Sequence, residues 1–139
     1  MTLIEVVIGI GILMILLMIS FPEGISQKYE IDTFARQLVA DIRYVRNMNL
    51  NGNLKIYLEN NNENRPNYSI KENNNILKKV YIPRHTKLSY PSPIIKFKSD
   101  GTLSSRGETI VITSKEKNIK ITIIPFSGRV LLKEDIYES

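Results

Sequence analysis

Residues 1–22 read MTLIEVVIGIGILMILLMISFP, and the reading of this stretch decides the fold. Residues 6–19 contain no polar side chain, and Met1 to Ile4 and Phe21 extend the run past Thr2, Glu5 and Ser20. As an α-helix rising about 1.5 Å per residue, it would span ~30 Å, the depth of a bilayer core. A carboxylate in hydrocarbon costs from ~3 kcal/mol upward, so Glu5 needs compensation. Position 5 lies only ~7 Å from the helix start, so snorkelling to the interface is one answer. The other is an amine brought by a neighbouring subunit. That would turn an isolated charge into a buried ion pair, formed only when subunits pack in staggered register.

The run does not read as a cleaved secretory signal. No Lys or Arg occurs before Lys28, and no A-x-A-like site follows the apolar residues. A permanent anchor is expected instead. Because positive charge stays in the cytoplasm, the lack of early basic residues leaves two orientations open. Either the basic C-terminal part is cytoplasmic, or a basic leader once preceded Met1 and its removal created a new α-amino group there.

These residues carry a resemblance. MTLIEVVIGIGIL, with Glu5 and then Pro22, is similar to the processed N-terminus of type IV pilins and type II secretion pseudopilins. The resemblance implies cleavage by a prepilin peptidase after a leader glycine and N-methylation of Met1. It also implies that Glu5 registers subunits in a filament built on an inner-membrane assembly platform, with the C-terminal domain outside the cytoplasm. Met1 departs from the family's usual phenylalanine.

Pro22 should kink or loosen the helix, since it cannot donate to the ladder. Beyond it, Ile31, Phe34, Ala35, Leu38, Ile42, Val45 and Met48 recur at three- and four-residue steps. That spacing predicts an amphipathic continuation over 23–50, with Arg36, Arg43 and Arg46 turned to solvent or partners and Asn51-Gly52 as its stop. From Leu54 the period becomes two, predicting strands over 54–58, YSIKE, ILKKVYI, IIKFK, TIVIT, IKITII and VLLKE. A loop at 59–67, turns at Asn73–Asn75, Ser99–Thr102 and Phe126–Arg129, and Pro83, Pro91 and Pro93 punctuate them. The fold class is therefore α+β: a long N-terminal helix packed on an antiparallel sheet, divided as 1–22 transmembrane, 23–50 amphipathic and 51–139 globular. DIRYVRN before a strand, FKSDGT, TIVIT and SGRV also resemble minor pseudopilins of GspH/FimT or competence type.

Chemistry is sparse. There is no cysteine, and His85, the sole histidine, falls in a loop; neither cofactor nor metal is expected. Ser114 and Lys117 match S-x-x-K, but in a hairpin turn rather than on a helix, so a solvated turn is expected. Glu134, Asp135 and Glu138 read as an acidic tail, and no glycine-rich phosphate loop is present. No enzyme is implied.

Nineteen Lys and Arg oppose 14 Asp and Glu, and between Arg43 and Lys120 the count is 15 basic to 6 acidic. Tyr44, Tyr57, Tyr68, Tyr81 and Tyr90 lie among them, the composition of single-stranded nucleic-acid sites. Arg43, Arg46, Lys78, Lys79, Arg84, Lys96 and Lys98 are the candidate contacts, and some FimT-like pilins take part in DNA uptake. The expected role is a non-enzymatic, membrane-anchored minor pilin-like subunit serving protein secretion or DNA uptake. Its partners would be other pilins, membrane lipid, and DNA or secreted cargo. The alternative is a membrane-tethered basic module that binds nucleic acid or another polyanion without forming a filament.

Overall fold

The computed structural model describes residues 1–20 and 23–136, with the side chains of 23–26 and 135–136 left aside. Two helices, α1 (Leu3–Ile19) and α2 (Glu23–Leu50), precede eight strands. Pro22, where a kink is expected, lies outside the described residues.

Helix α1 is capped by Thr2 and ends at Ser20, whose hydroxyl donates to the Leu16 carbonyl at 2.7 Å. Its 17 residues extend ~26 Å. Among the described residues no helix is long and apolar enough to cross a membrane. The expected span of about 30 Å would need the residues beyond Ser20.

Helix α2 buries Ile31, Phe34, Ala35, Leu38, Val39, Ile42 and Val45. This is the expected stripe widened by Val39, because a globular core accepts more than a two-column seam. Gly52 terminates the helix at φ +95°, a left-handed position open to glycine, with its amide on the Asn49 carbonyl.

The strands form two antiparallel sheets rather than one. The first contains β1 (Ile56–Asn61), β2 (Asn67–Glu72), β3 (Asn75–Tyr81) and β5 (Ile94–Ile95), in the order β3-β2-β1-β5. The second contains β4 (Lys87–Ser89), β6 (Glu108–Thr113), β7 (Lys117–Ile123) and β8 (Val130–Ile136), in the order β4-β6-β7-β8. Pro83, Pro91 and Pro93 flank the short β4 and β5 and supply no amide hydrogens, so a continuous ladder fails there.

Several expected boundaries move. The first strand opens at Ile56, since the Leu54 amide turns back to the Gly52 carbonyl, and it runs on to Asn61. IIKFK shrinks to β5 plus one bridge, Phe97 to Leu103. The β2–β3 turn places Asn73 and Asn74 at φ 49° and 71°, the pair of left-handed residues that a two-residue hairpin requires.

The core is shared. The helix stripe meets Ile56, Leu58, Tyr68 and Ile70 from the first sheet, and Ile110, Ile112, Ile119, Ile121 and Ile123 from the second. Inward residues alternate along β1, β6 and β7 as strand geometry demands.

Candidate functional site

Every described residue of α1 is exposed, including Leu3, Ile4, Val7, Leu13, Ile15 and Met18. A helix apolar on nearly all sides and exposed along its whole length offers a surface suited to lipid or to other helices. At its start Glu5 and Thr2 form a capping box. The Thr2 amide donates to Glu5 Oε2 at 2.7 Å, and the Glu5 amide donates to Thr2 Oγ1 at 3.4 Å. Within one chain the carboxylate thus has a local partner, a role for Glu5 that the sequence reading missed although T-x-x-E displays it.

Helix α2 runs between two differently built ends of the domain. The proximal end, nearer α1, is held by charge. Lys117, 1% exposed, is ion-paired with Asp32 of α2, and Glu134 of β8 lies 3.8 Å from its ammonium. Lys117 is therefore not the solvated turn residue expected, because it shares the inward phase of Ile119, Ile121 and Ile123. Ser114 accepts from the amides of Glu116 and Lys117 and donates to the Lys117 carbonyl, so the S-x-x-K pair closes a turn. Glu134 belongs to a strand, not to a frayed tail.

Further up the helix, buried Asp41 accepts from the Tyr68 hydroxyl at 2.8 Å and the Lys78 ammonium at 2.7 Å. Burial first, and then the Asp41 carboxylate, push the Tyr68 hydroxyl far up, so it remains a donor. Lys78 thus commits its charge to Asp41.

The distal end is held by hydrogen bonds to backbone groups and close backbone packing. Fully buried Asn49 donates to the carbonyls of Asn53 (2.8 Å) and Ile56 (2.9 Å) and accepts from the Phe97 amide at 2.9 Å. Arg46, expected to face solvent or partners, is half-buried and donates to the carbonyls of Gly101 (3.1 Å) and Ser127 (2.9 Å). It joins the SDGT and SGRV turns. A Cβ on Gly128 (φ +64°) would overlap the Gly101 carbonyl oxygen, so the sharp SGRV turn needs glycine there.

The basic candidates separate accordingly. Arg43, Arg46 and Arg129 line one distal cleft of about 330 Å³. Lys98 and Arg106 line a neighbouring one of about 470 Å³ with Phe126, which is 91% exposed. Lys96, whose carbonyl accepts from Ser104, lies on the same side of the domain. Lys79 sits 5.5 Å from the Tyr81 ring, and Arg84 is at the proximal end, so the seven do not form one patch. Exposed His85 lies in that loop, at φ 59°. Among the described residues no three His, Cys, Asp or Glu side chains could hold a metal.

No family model matches the chain, and no curated protein matches it. Solved structures do. The crystal structure of the type IV minor pilin FimU of Pseudomonas aeruginosa is similar with TM-score 0.64 and 18% identity. The likeness covers 78% of this chain and 92% of that one. A second crystal form of FimU gives TM-score 0.60 and 18% identity over 73% and 91%. A helix laid across antiparallel sheets, joined at both ends by the contacts above, is a type IV pilin-like α+β fold.

Proposed function

We propose that the chain is a non-enzymatic minor pilin-like subunit, anchored in the membrane by α1 and assembled through it into a pilus or pseudopilus. The carrying observation is an all-exposed apolar helix borne by a pilin-like domain. Its ~26 Å falls slightly short of a ~30 Å core, a mismatch that bilayers absorb by local thinning. In this reading α1 rests in lipid until extraction, then packs among the helices of other pilins. Met1 is the processed and methylated terminus, prepilin peptidase and the assembly platform are partners, and the domain faces outward to secreted cargo or DNA. Glu5 exchanges its Thr2 contact for the terminal amine of a neighbour, replacing a neutral donor with a charged one at low dielectric.

The test is Glu5→Ala in cells producing the filament. The variant should remain in the membrane fraction and fall about tenfold or more in the sheared filament fraction, as loss of one buried ion pair predicts. Wild-type recovery of Glu5→Ala in filaments overturns the role of Glu5. A second reading, a tethered module that binds polyanions without a filament, is favoured by the distal clefts with Arg43, Arg46, Arg129 and the exposed Phe126. Absence of the wild-type chain from every filament fraction would select it.

A further inference from the structure

A cleft of about 740 Å³ lies at the proximal end between loops 62–66 and 82–86 and the first part of α2. It is lined by Glu30, Arg65, Tyr81, Arg84 and His85, among others. A groove along Tyr29, Thr33, Val80 and Pro83 adjoins it and shares Glu30 and Tyr81. We propose that this end of the domain docks on the phosphate-bearing headgroups of the anionic bilayer in which α1 is anchored. The inference rests on the anchor reading above and adds a second, electrostatic contact between domain and membrane.

Four observations carry it. The first is position. Helix α2 begins four residues after α1 ends, and Glu30 lies ~10 Å along it from Glu23, about the reach of a charged surface at physiological salt.

The second is uncommitted charge. Lys71, Lys78 and Lys117 are ion-paired with Glu59, Asp41 and Asp32, and Arg46 is tied to two carbonyls. Arg65 and Arg84 form no ion pair among the described residues, although they share a cleft. Lys28, Lys87 and Lys115 also lie toward this end, opposite Glu30, Glu63, Glu116 and Glu134, so the preference for anions rests on the two arginines of the cleft rather than on net charge.

The third is the guanidinium of Arg65, stacked 4.2 Å from the centroid of Tyr81. Stacking holds the planar fork in place while its N–H edges remain available to phosphate oxygens.

The fourth is the aromatic content. Tyr29 is 72% exposed and Tyr81 43% exposed. Exposed tyrosines with an apolar body and a polar tip are the residues that collect at headgroup depth.

A domain held this way lies against the membrane before assembly and must release the headgroups when α1 is extracted. Docking therefore favours the stored subunit, and it weakens with salt because the partners are screened charges.

The full chain, reconstituted into vesicles of phosphatidylcholine alone or with about 30 mol % phosphatidylglycerol, tests this by amide hydrogen exchange. Loops 62–66 and 82–86 should exchange about tenfold more slowly in the anionic vesicles, and roughly 0.5 M salt should abolish the difference. The distal turns at 98–101 and 125–129, themselves basic, should exchange equally in both. Arg65→Gln/Arg84→Gln should remain vesicle-bound and lose the protection. A vesicle-bound chain with equal exchange in both lipids overturns the docking and leaves the anchor standing. A chain that fails to co-float with either vesicle overturns both. Protection by inorganic phosphate without vesicles would reassign the cleft to a small anion and overturn membrane docking.

Discussion

The two ends of the domain hold the same helix by different means. At the proximal end a lysine sealed in the core reaches an aspartate on α2, with a glutamate nearby. At the distal end Asn49 satisfies three backbone groups, and Arg46 bonds two carbonyls. Ion pairs are non-directional and lose much of their gain to desolvation, whereas an amide with three well-placed partners fixes a geometry. The distal end therefore sets where the helix stops and how both sheets meet it, and the proximal end fixes which face of the helix is turned inward.

The largest break is expected from Asn49→Ala, which strands the Phe97 amide and two carbonyls in the core. A loss of about 4 kcal/mol follows from three hydrogen bonds and the buried groups they leave. Urea unfolding of the full chain in detergent should show the midpoint falling with little change in slope. A loss under about 1 kcal/mol would mean that the distal joint does not depend on Asn49.

The proximal end should respond asymmetrically. Asp32→Ala leaves Lys117 buried with Glu134 at 3.8 Å, and since Asp32 is partly exposed the cost is about 2–3 kcal/mol. Lys117→Met removes the charge with its need for a partner and should lie within about 1 kcal/mol of wild type, on either side. Equal losses from both variants would show that the lysine's charge, not only its volume, holds this end.

The smallest effect sharpens the contrast through pH. Glu108 is buried, with Oε2 lacking a hydrogen-bond partner, near the distal turns. Burial pushes its carboxyl above the ordinary 4.5, and the hydrogen bond from Ser105 opposes that shift. The folded state therefore binds this proton more tightly than the unfolded chain does. The group's contribution to stability is complete below the ordinary carboxylate value and is lost as pH rises through the raised one. Glu108→Gln should flatten that slope and gain on wild type as pH increases, in unfolding curves taken from acid to neutral. Parallel pH profiles for the two proteins would remove Glu108 as a source of pH dependence.

Much of this architecture could be read from the residues. The three- and four-residue spacing from Ile31 to Val45 marked the buried face of α2, and Asn73, Asn74, Gly101 and Gly128 marked turns that take positive φ. The polar core was less legible, although its signal was present. Lys117 keeps step with Ile119, Ile121 and Ile123, Glu108 with Ile110 and Ile112, and Asn60 with Ile56 and Leu58. Periodicity placed these side chains inward while composition argued outward, and only a partner from α2 reveals that period wins for Lys117. Asn49 carried no such mark. Next to Asn51-Gly52 it reads as one more polar residue at a helix end, and the carbonyls it meets come from strands distant in sequence. The division into two sheets followed from prolines that had been read only as interruptions of one.

The strands at the rims of the two sheets have a consequence for copies of the domain at high local concentration. β4 and β5 are three and two residues long, too short to template a partner. The longer rims carry Lys78 and Lys79 on β3, whose register against β2 slips at Ile70 and Lys71 of that neighbour, and exposed Lys133 on β8. Short, kinked or lysine-bearing margins resist the edge-to-edge pairing that leads to cross-β aggregates. Crowded domains can then slide past one another without fusing.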